Sequence, residues 1–401
     1  MAGRTLLDKV WDPHIIDELG DGVQLLHVDR HLMNELSGHR GQKALAERGL
    51  KTRNPDLTIG TLDHIVSTVP GRHGGDAPWA DRIIDLFREE SRKAGFPLHD
   101  FGDEGQGIVH VVGPELGFTL PGVLLVCGDS HTCTHGALGA LAWGIGTSEL
   151  THVLATQTIV QEKPRAMRVR FEGAPARGVG AKDMILALIG RLGTAAGAGY
   201  AVEYAGEAIR ALDLEGRMTV CNLSIELGAK IGIVAPDDRT FDYVKGRRYA
   251  PTGETWTQAL AHWRTLASDA DAHFDAEHAL DCAALAPQVT WGTSPEDVIG
   301  VDERVPDLKP EALRYMGLEP GRPIAGTKVD RVFIGSCTNS RISDLRTAAE
   351  VVRRRRVAAH VQAWVVPGSL RVKQVAEAEG LDEVFRAAGF QWRDPGCSMC
   401  V

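Results

Sequence analysis

Cysteine is scarce in this sequence, with seven residues in a chain of 401, and the number is odd. Small secreted domains that depend on disulfides are dense in cysteine, so this sequence predicts no disulfide framework. The thiols are therefore available for metal binding. The seven are Cys127, Cys133, Cys221, Cys282, Cys337, Cys397 and Cys400.

Positive charge and long apolar runs are lacking as well. The chain has 44 Lys and Arg against 53 Asp and Glu, a formal net charge of −9, whereas general nucleic-acid binders carry a positive surplus that neutralises phosphates. No stretch approaches the ~18 apolar residues that cross a bilayer, and the start lacks the apolar core of a signal peptide. These absences argue against a nucleic-acid or membrane partner and predict a soluble, cytoplasmic protein.

The composition that is present, 43% hydrophobic and 24% charged, is that of a globular protein with two or three domains. Gly and Pro punctuate short apolar runs that alternate with amphipathic stretches, which is typical of the α/β class with mainly parallel strands. Residues 269–310 lose this periodicity and are predicted to be a boundary or linker. We therefore predict two α/β domains over residues 1–285 and a third over residues 286–401.

Two segments share a strand–loop layout. Residues 121–127 predict a buried strand that runs into the polar loop 128–132, and residues 329–334 predict a strand that runs into the loop 335–340 and a helix over 342–352. Open α/β sheets bind ligands at the carboxyl ends of their strands, so both loops are candidate site loops. The four arginines at 353–356 are interpreted as a solvated helix end.

Three cysteines lie in turn-rich loops near the end of the chain. Cys337 lies in the loop 335–340, and Cys397 and Cys400 form a C-x-x-C pair. Alone, such a pair indicates zinc, redox chemistry or chance, and a single buried Cys is usually structural. A closed zinc site needs four ligands, and no fourth Cys or His stands at a matching spacing. Three thiolates suit an iron–sulfur cluster with one iron left open.

Histidines and carboxylates supply a second group of candidates. Imidazole titrates near neutral pH, and a carboxylate partner fixes its tautomer and raises its basicity, so three of each could form three proton-handling pairs. With fifteen His in the chain, the alternative for each one is a surface or structural role. The candidates are Asp63, His64, His110, Asp129, His131 and Glu203.

These motifs together resemble the aconitase superfamily, and within it the large-subunit branch that acts on isopropylmalate. The resemblance covers essentially the whole chain. It is found in Asp-Arg-His-Leu at 29–32, Thr-Leu-Asp-His at 61–64, Gln-Gly-Ile-Val-His at 106–110, Cys-Gly-Asp-Ser-His-Thr at 127–132, Gly-Ile-Gly-Thr-Ser-Glu at 144–149, Glu-Gly-Arg-Met at 215–218, Gly-Ser-Cys-Thr-Asn-Ser at 335–340, Val-Val-Pro-Gly-Ser at 365–369 and Pro-Gly-Cys-Ser-Met-Cys at 395–400.

The resemblance implies an aconitase-like fold, with several α/β/α domains around a central cluster site. It implies that Cys337, Cys397 and Cys400 hold one 4Fe–4S cluster, whose open iron acts as a Lewis acid on a hydroxy-diacid substrate. It also implies that Asp63 pairs with His64.

The same resemblance pairs Asp129 with His110, and Glu203 with His131. It further implies that Ser130 and Thr132 shape their loop, and that Asn339 supports the cluster or a substrate carboxylate.

The reaction that the resemblance implies is that of a hydro-lyase, which interconverts 2-isopropylmalate and 3-isopropylmalate by dehydration and rehydration in leucine biosynthesis. The family's base is a serine on a swivelling domain, which implies a separate small subunit. The alternatives are a homoaconitase, a citraconate or methylmalate hydratase, an inactive cluster-binding chain and an RNA-binding relative, the last disfavoured by the acidic balance.

The sequence departs from the family pattern at three places. Ile65 stands where the family usually has Asn, and Arg40 lies near the family's substrate-contacting Gln, which bears on the diacid accepted. The sequence stops one residue after Cys400, before the family's Ser-Asn-Arg-Asn-Phe segment, so we expect an incomplete carboxylate grip and little or no activity in the chain as given. Arg341 is placed either to reach a carboxylate or to face solvent.

Overall fold

A computed structural model describes residues 3–400, apart from the side chain of Cys400. The strands in chain order are β1 (Ile15–Gly20), β2 (Val23–His27), β3 (Arg30–Asn34), β4 (Thr58–Thr61), β5 (Leu98–His99), β6 (Leu124–Cys127), β7 (Leu141–Gly144), β8 (Thr158–Glu162), β9 (Arg165–Glu172), β10 (Tyr200–Ala205), β11 (Ile231–Ile233), β12 (Ala276–Asp281), β13 (Gln288–Thr290), β14 (Val298–Gly300), β15 (Arg331–Ile334), β16 (Gln362–Val365) and β17 (Gln391–Trp392).

Helices alternate with these strands over most of the chain. They are α1 (Leu6–Trp11), α2 (Glu35–Glu47), α3 (Pro78–Ala94), α4 (Val109–Glu115), α5 (Thr147–Thr156), α6 (Ala181–Leu192), α7 (Glu207–Ala211), α8 (Leu214–Asn222), α9 (Asp238–Val244), α10 (Gly253–Trp263), α11 (Pro310–Met316), α12 (Ile342–Val352), α13 (Leu370–Ala378) and α14 (Leu381–Ala388). A 3₁₀ segment, Ser130–Leu138, follows β6. No helix among residues 3–400 has the length and apolar character to cross a membrane.

The largest sheet is parallel throughout, with the order β5-β4-β3-β6-β7. Strands β4 and β6 are buried along their whole length, as expected for parallel strands covered on both faces. The predicted strand over 121–127 is confirmed as β6, which begins later because Gly122 has φ of 76° and turns the chain. Helix α2 packs between α3 and α5 on this sheet.

A second parallel sheet has the order β11-β10-β9-β12. Its edge strand β12 lies inside residues 269–310, so the prediction of a boundary or linker is wrong for Ala276–Asp281, which pairs with β9 from Met167 to Glu172. Most of β12 is half-buried or exposed. An edge strand of this kind carries little apolar pattern, and the sequence therefore gave no clear signal for it.

A third parallel sheet, β15-β16-β17, packs with α12, α13 and α14 around Phe385, whose ring stacks 6.0 Å from that of Trp392. The predicted strand and helix are confirmed as β15 and α12. The arginines at 353–356 are exposed beyond the end of α12, as predicted. The β13–β14 hairpin and α11 form a small cluster of their own around Trp291 and Leu313. These sheets confirm the α/β class, while the domain limit at 285/286 stays a prediction.

The largest sheet, which we call the first sheet, meets the third sheet along the loop before α4. The amide of Ile108 donates to the carbonyl of Gly368 over 2.8 Å, and the amide of Gly368 donates to the carbonyl of Ser340 over 2.9 Å. A Cβ on Gly107 would lie 2.5 Å from Cα of Ser369, so only glycine permits this approach. The contact brings the loops at the carboxyl ends of both sheets to one place.

Candidate active site

Three neighbouring strands of the first sheet deliver the acid–base residues. Strand β3 leads into α2, which begins at Glu35; β4 is followed by Asp63 and His64; and β6 is followed by Asp129. Parallel strands end at the same edge of a sheet, so these side chains converge there. The prediction of a site at the carboxyl end of the strand over residues 121–127 agrees with this geometry.

Asp63, His64, Asp129 and His110 form a continuous hydrogen-bonded chain. Nδ1 of His64 lies 2.6 Å from Oδ1 of Asp63, and its Nε2 lies 2.8 Å from Oδ2 of Asp129. The other oxygen of Asp129 lies 2.8 Å from Nε2 of His110. The implied contacts Asp63–His64 and Asp129–His110 are therefore present, and Asp129 joins them into one network.

The charges in this chain stabilise one another. Burial alone would lower the pKa of His64, but Asp63 and Asp129 outweigh it and hold that pKa well above its ordinary value. Burial alone would raise the pKa of Asp129, but His110 and His64 hold it well below its ordinary value. We therefore assign a cationic His64 between two carboxylates, an arrangement that can both supply and take up a proton.

Glu35 positions the loop that carries this pair, and sequence reasoning missed it. The side chain is fully buried, and its carboxylate accepts hydrogen bonds from the amides of Asp63 at 3.0 Å, His64 at 2.7 Å and Ile65 at 2.6 Å. A carboxylate that binds three consecutive amides fixes the backbone of that loop. The signal available in the sequence was an acidic residue directly after β3.

The implied pairing of Glu203 with His131 is wrong. Nε2 of His131 lies 3.0 Å from Oε1 of Glu226, whereas Glu203 accepts a hydrogen bond from Ser268 over 2.6 Å. Tyr204, the next residue of β10, contacts Ser224, and successive strand residues point to opposite faces, so Glu203 faces away from Ser224 and the Glu226 loop.

Glu226 was missed because it follows a helix rather than a predicted strand. The signal available in the sequence was a pair of polar residues four apart, with Asn222 as the last residue of α8 and Glu226 in the segment after it. A second oxygen of Glu226 is buried with no hydrogen-bond partner among the described residues, and so remains available to a ligand.

Cys337 and Cys397 are buried in the same hydrophobic cluster, beside Ile108 and Val111. The amide Nδ2 of Asn222 lies 3.2 Å from Sγ of Cys337 and donates to it. The sulfur of Cys397 and one ligand atom each of Asp63 and His64 all lie within 4.8 Å of one another. The third predicted thiol, that of Cys400, lies outside the described part of the structure.

The other four cysteines are buried thiols with raised pKa values. Cys127, Cys133, Cys221 and Cys282 are fully buried, and burial is the main cause that raises the pKa of each thiol, to about 11 for Cys282. A thiol must lose its proton to bind metal, so a raised pKa makes these residues weaker candidates for ligands than the cysteines of the two loops.

Ser130 and Asn339 have different surroundings from each other. Ser130 is exposed and contacts only the ring of His131, at 3.3 Å, among described residues, while Thr132 donates to the carbonyl of Asp129 and so shapes the loop. Asn339 donates to Thr219 at 3.2 Å and to Asp344 at 2.9 Å. Asn222, rather than Asn339, is the amide that contacts a cysteine sulfur. Support of a substrate by Ser130 or Asn339 stays a prediction.

Arg341 neither faces solvent nor extends toward the site. It is 2% exposed, and its guanidinium donates to the carbonyls of Cys337 at 3.1 Å, Thr338 at 3.3 Å and His110 at 3.0 Å. This side chain therefore connects the cysteine loop with the helix that carries His110. Buried carbonyls need donors, and a cation with a planar set of N–H groups supplies several at once.

Replacing Arg341 with methionine should destabilise the fold by about 3 kcal/mol, because the carbonyls lose charged donors and stay buried. Chemical denaturation of the variant and the parent measures this. The matched control is Arg353→Met, since Arg353 is exposed at the end of α12 and should change stability by less than about 0.5 kcal/mol. Equal stability of both variants would show that Arg341 does not connect the loops.

The two family departures lie in different environments. Ile65 is buried beside the acid–base chain, and its amide binds Glu35. Arg40 is exposed on α2. Ile65 therefore adds an apolar side chain next to Asp63 and His64, whereas the Arg40 charge is solvated.

Comparison with known proteins identifies the family. The model of the aconitase family (aconitate hydratase) matches residues 8–401. The chain is also 60% identical over 410 residues to the 3-isopropylmalate dehydratase large subunit 1 of Bradyrhizobium diazoefficiens, an alignment that covers 100% of this chain and 86% of that relative. The predicted resemblance is thereby confirmed over the whole sequence. This match agrees with the buried cysteine loops and with the hydrogen-bonded Asp and His residues at the sheet edge. The protein therefore belongs to the aconitase family.

Proposed function

We propose that the chain is the large subunit of a hydro-lyase that interconverts 2-isopropylmalate and 3-isopropylmalate, in leucine biosynthesis, through the dehydrated maleate. The 60% identity to a large subunit named for this reaction supports the substrate. The single observation that carries the chemistry is the placement of the Asp63–His64–Asp129–His110 chain against the sulfur of Cys397.

We infer a 4Fe–4S cluster held by Cys337, Cys397 and Cys400. The donor set fits such a group, because thiolates are its usual ligands. Two of the three thiols are buried among the same hydrophobic side chains. The amide of Asn222 on Cys337 fits as well, since hydrogen bonds to ligand sulfurs adjust such clusters. When bound, the cluster supplies a Lewis-acidic iron that binds oxygens of the substrate.

The residues of this chain handle the proton of the departing hydroxyl group. Dehydration breaks one C–H bond and one C–O bond, and the hydroxide leaves as water once it has gained a proton. His64, kept cationic by Asp63 and Asp129, donates that proton, and in rehydration the same ring takes it back. His131, paired with Glu226, orders water at the edge of the site.

We further infer a small subunit as partner. The resemblance assigns the base that removes the carbon-bound proton to a serine on a swivelling domain, and in the large-subunit branch that domain belongs to a separate chain. The relative's name, "large subunit", supports such a partner. Removal of the carbon-bound proton is therefore assigned to the partner, and protonation of the leaving group to this chain.

The test is turnover of a substrate series. The chain, extended with the family's Ser-Asn-Arg-Asn-Phe segment, is reconstituted anaerobically with iron and sulfide, combined with a small subunit, and assayed by the absorbance of the unsaturated diacid; this extended chain is the parent in every activity assay below. We expect turnover of 2- and 3-isopropylmalate with kcat/KM at least about tenfold above that for homocitrate, citramalate and citrate. The isopropyl group has two more carbons than the methyl group of citramalate, a difference that discriminates by roughly this factor or more, and homocitrate and citrate carry a third carboxylate instead. Preference for one of the other acids would reassign the substrate, and no turnover of any of them would refute the hydro-lyase.

A further inference from the structure

His110 has a buried partner on the side of its ring opposite Asp129. Its Nδ1 lies 3.1 Å from Nε2 of His135, and Nδ1 of His135 lies 2.6 Å from the hydroxyl oxygen of Thr119. All three side chains are buried, and the two rings meet edge to face with centroids 5.2 Å apart. The acid–base chain thus continues inward from Asp129 through His110 and His135 to Thr119.

The backbone of α4 leaves room for the side chains of His135 and Thr119. A Cβ on Gly113 of α4 would lie 2.8 Å from Cε1 of His135 and 3.2 Å from the hydroxyl oxygen of Thr119. The absence of a side chain at 113 therefore leaves the room that His135 and Thr119 occupy.

The direction of each hydrogen bond follows from the number of donors. The Thr119 hydroxyl carries one hydrogen, and among the described residues its side chain contacts only His135, so it donates to Nδ1 of that ring. A neutral imidazole whose Nδ1 accepts has its proton on Nε2. His135 therefore donates to Nδ1 of His110, and His110 donates from Nε2 to Asp129.

Electrostatics agree with a neutral His135. Burial is the main cause that holds the pKa of His135 well below its ordinary value, and the Arg341 cation acts in the same direction. A neutral ring has one donor and one acceptor, which matches its two contacts. A cationic ring would present a second N–H toward the Thr119 hydroxyl and leave that hydroxyl hydrogen without an acceptor.

We propose that His135 and Thr119 are positioning residues, which hold His110 in the tautomer that carries its proton on Nε2, directed at Asp129. This inference rests on the proposed function, because it assigns a purpose to His110 in proton handling. In the opposite tautomer, Nδ1–H would face His135, and Asp129 would lose one of its donors. Asp129 balances the charge of His64, so the tautomer of His110 affects the proton donor two side chains away.

The experiment compares His135→Gln with His135→Met. The two replacements have similar length and shape, but only glutamine keeps an N–H at the place of Nε2. In protein labelled with ¹⁵N-histidine and loaded with its cluster, the parent and His135→Gln should show His110 with an unprotonated Nδ1 and a protonated Nε2. His135→Met should show a mixture of tautomers. Thr119→Val should shift the spectrum toward the mixture, and Thr119→Ser should not.

Kinetics separates positioning from simple support of the fold. With the small subunit present, His135→Met should lower kcat by about tenfold, which is the factor that the loss of one hydrogen bond corresponds to. Its KM should stay within about threefold of the parental value. His135→Gln should recover most of the rate. If His135→Met kept the single tautomer and the parental kcat, the positioning role would be overturned. If the parent turned over no hydroxy acid, the proposed function would fail, and the nitrogen spectra would still decide whether His135 sets the tautomer.

Discussion

Replacing Asp129 with asparagine is expected to lower kcat by about 10²–10⁴-fold, the range typical of general acid–base groups, while the cluster and the fold are retained. Asp129 accepts hydrogen bonds from His64, His110 and the amide of His131. Asparagine keeps the shape of the Asp129 side chain but carries no charge. Its NH₂ group donates hydrogen bonds and cannot accept those that one carboxylate oxygen accepts in the parent. His64 would lose one of its two counter-charges and, with it, the proton needed by the leaving hydroxyl.

The control for this variant is Asp238→Asn. Asp238 is 75% exposed and pairs with the exposed Arg264, so its kcat should stay within about twofold of the parent. Turnover is followed by the absorbance of the unsaturated diacid, and iron content confirms that the cluster is present. His64→Ala should resemble Asp129→Asn, since the same proton is lost. Parental turnover in both variants would remove this chain of residues from the mechanism.

Serine at Cys337 or Cys397 is expected to abolish stable binding of the cluster. Serine replaces the thiolate with a poor ligand for iron, and Cys337 would also lose the hydrogen bond that its sulfur accepts from Asn222. After anaerobic reconstitution, iron per chain and charge-transfer absorbance should fall to a small fraction of the parental values. Cys400→Ser should behave alike if the predicted third ligand is correct.

The matched control is Cys221→Ser. Cys221 is also fully buried, but its thiol has a raised pKa and it is one of the buried residues of helix α8. Its iron content should equal that of the parent, even if stability declines. Thermal melting of each chain before reconstitution separates loss of the ligand from loss of the fold. Full iron and absorbance in Cys397→Ser would contradict the assignment of the cluster ligands.

The sequence by itself determined the family and the α/β class, and it predicted most of the candidate site. Local patterns were sufficient for β6, β15 and α12, because each is a compact apolar or amphipathic run with clear limits. The family motifs predicted the cysteine ligands and both the Asp63–His64 and Asp129–His110 contacts. Asp63, His64 and Asp129 follow the carboxyl ends of parallel strands, and His110 lies in the first turn of α4.

The tertiary structure decided the rest, because it depends on which loops meet. Glu35, Asn222 and Glu226 acquire their contacts only through the packing of α2 and α8 against other loops. Alternation along β10 directs Glu203 away from the Glu226 loop, and the approach of the third sheet buries Arg341 under three carbonyls. His135 became a partner of His110 only when the 3₁₀ segment folded against α4. Contacts between segments far apart in sequence leave no periodic pattern in either segment, and such contacts set the electrostatics of this site.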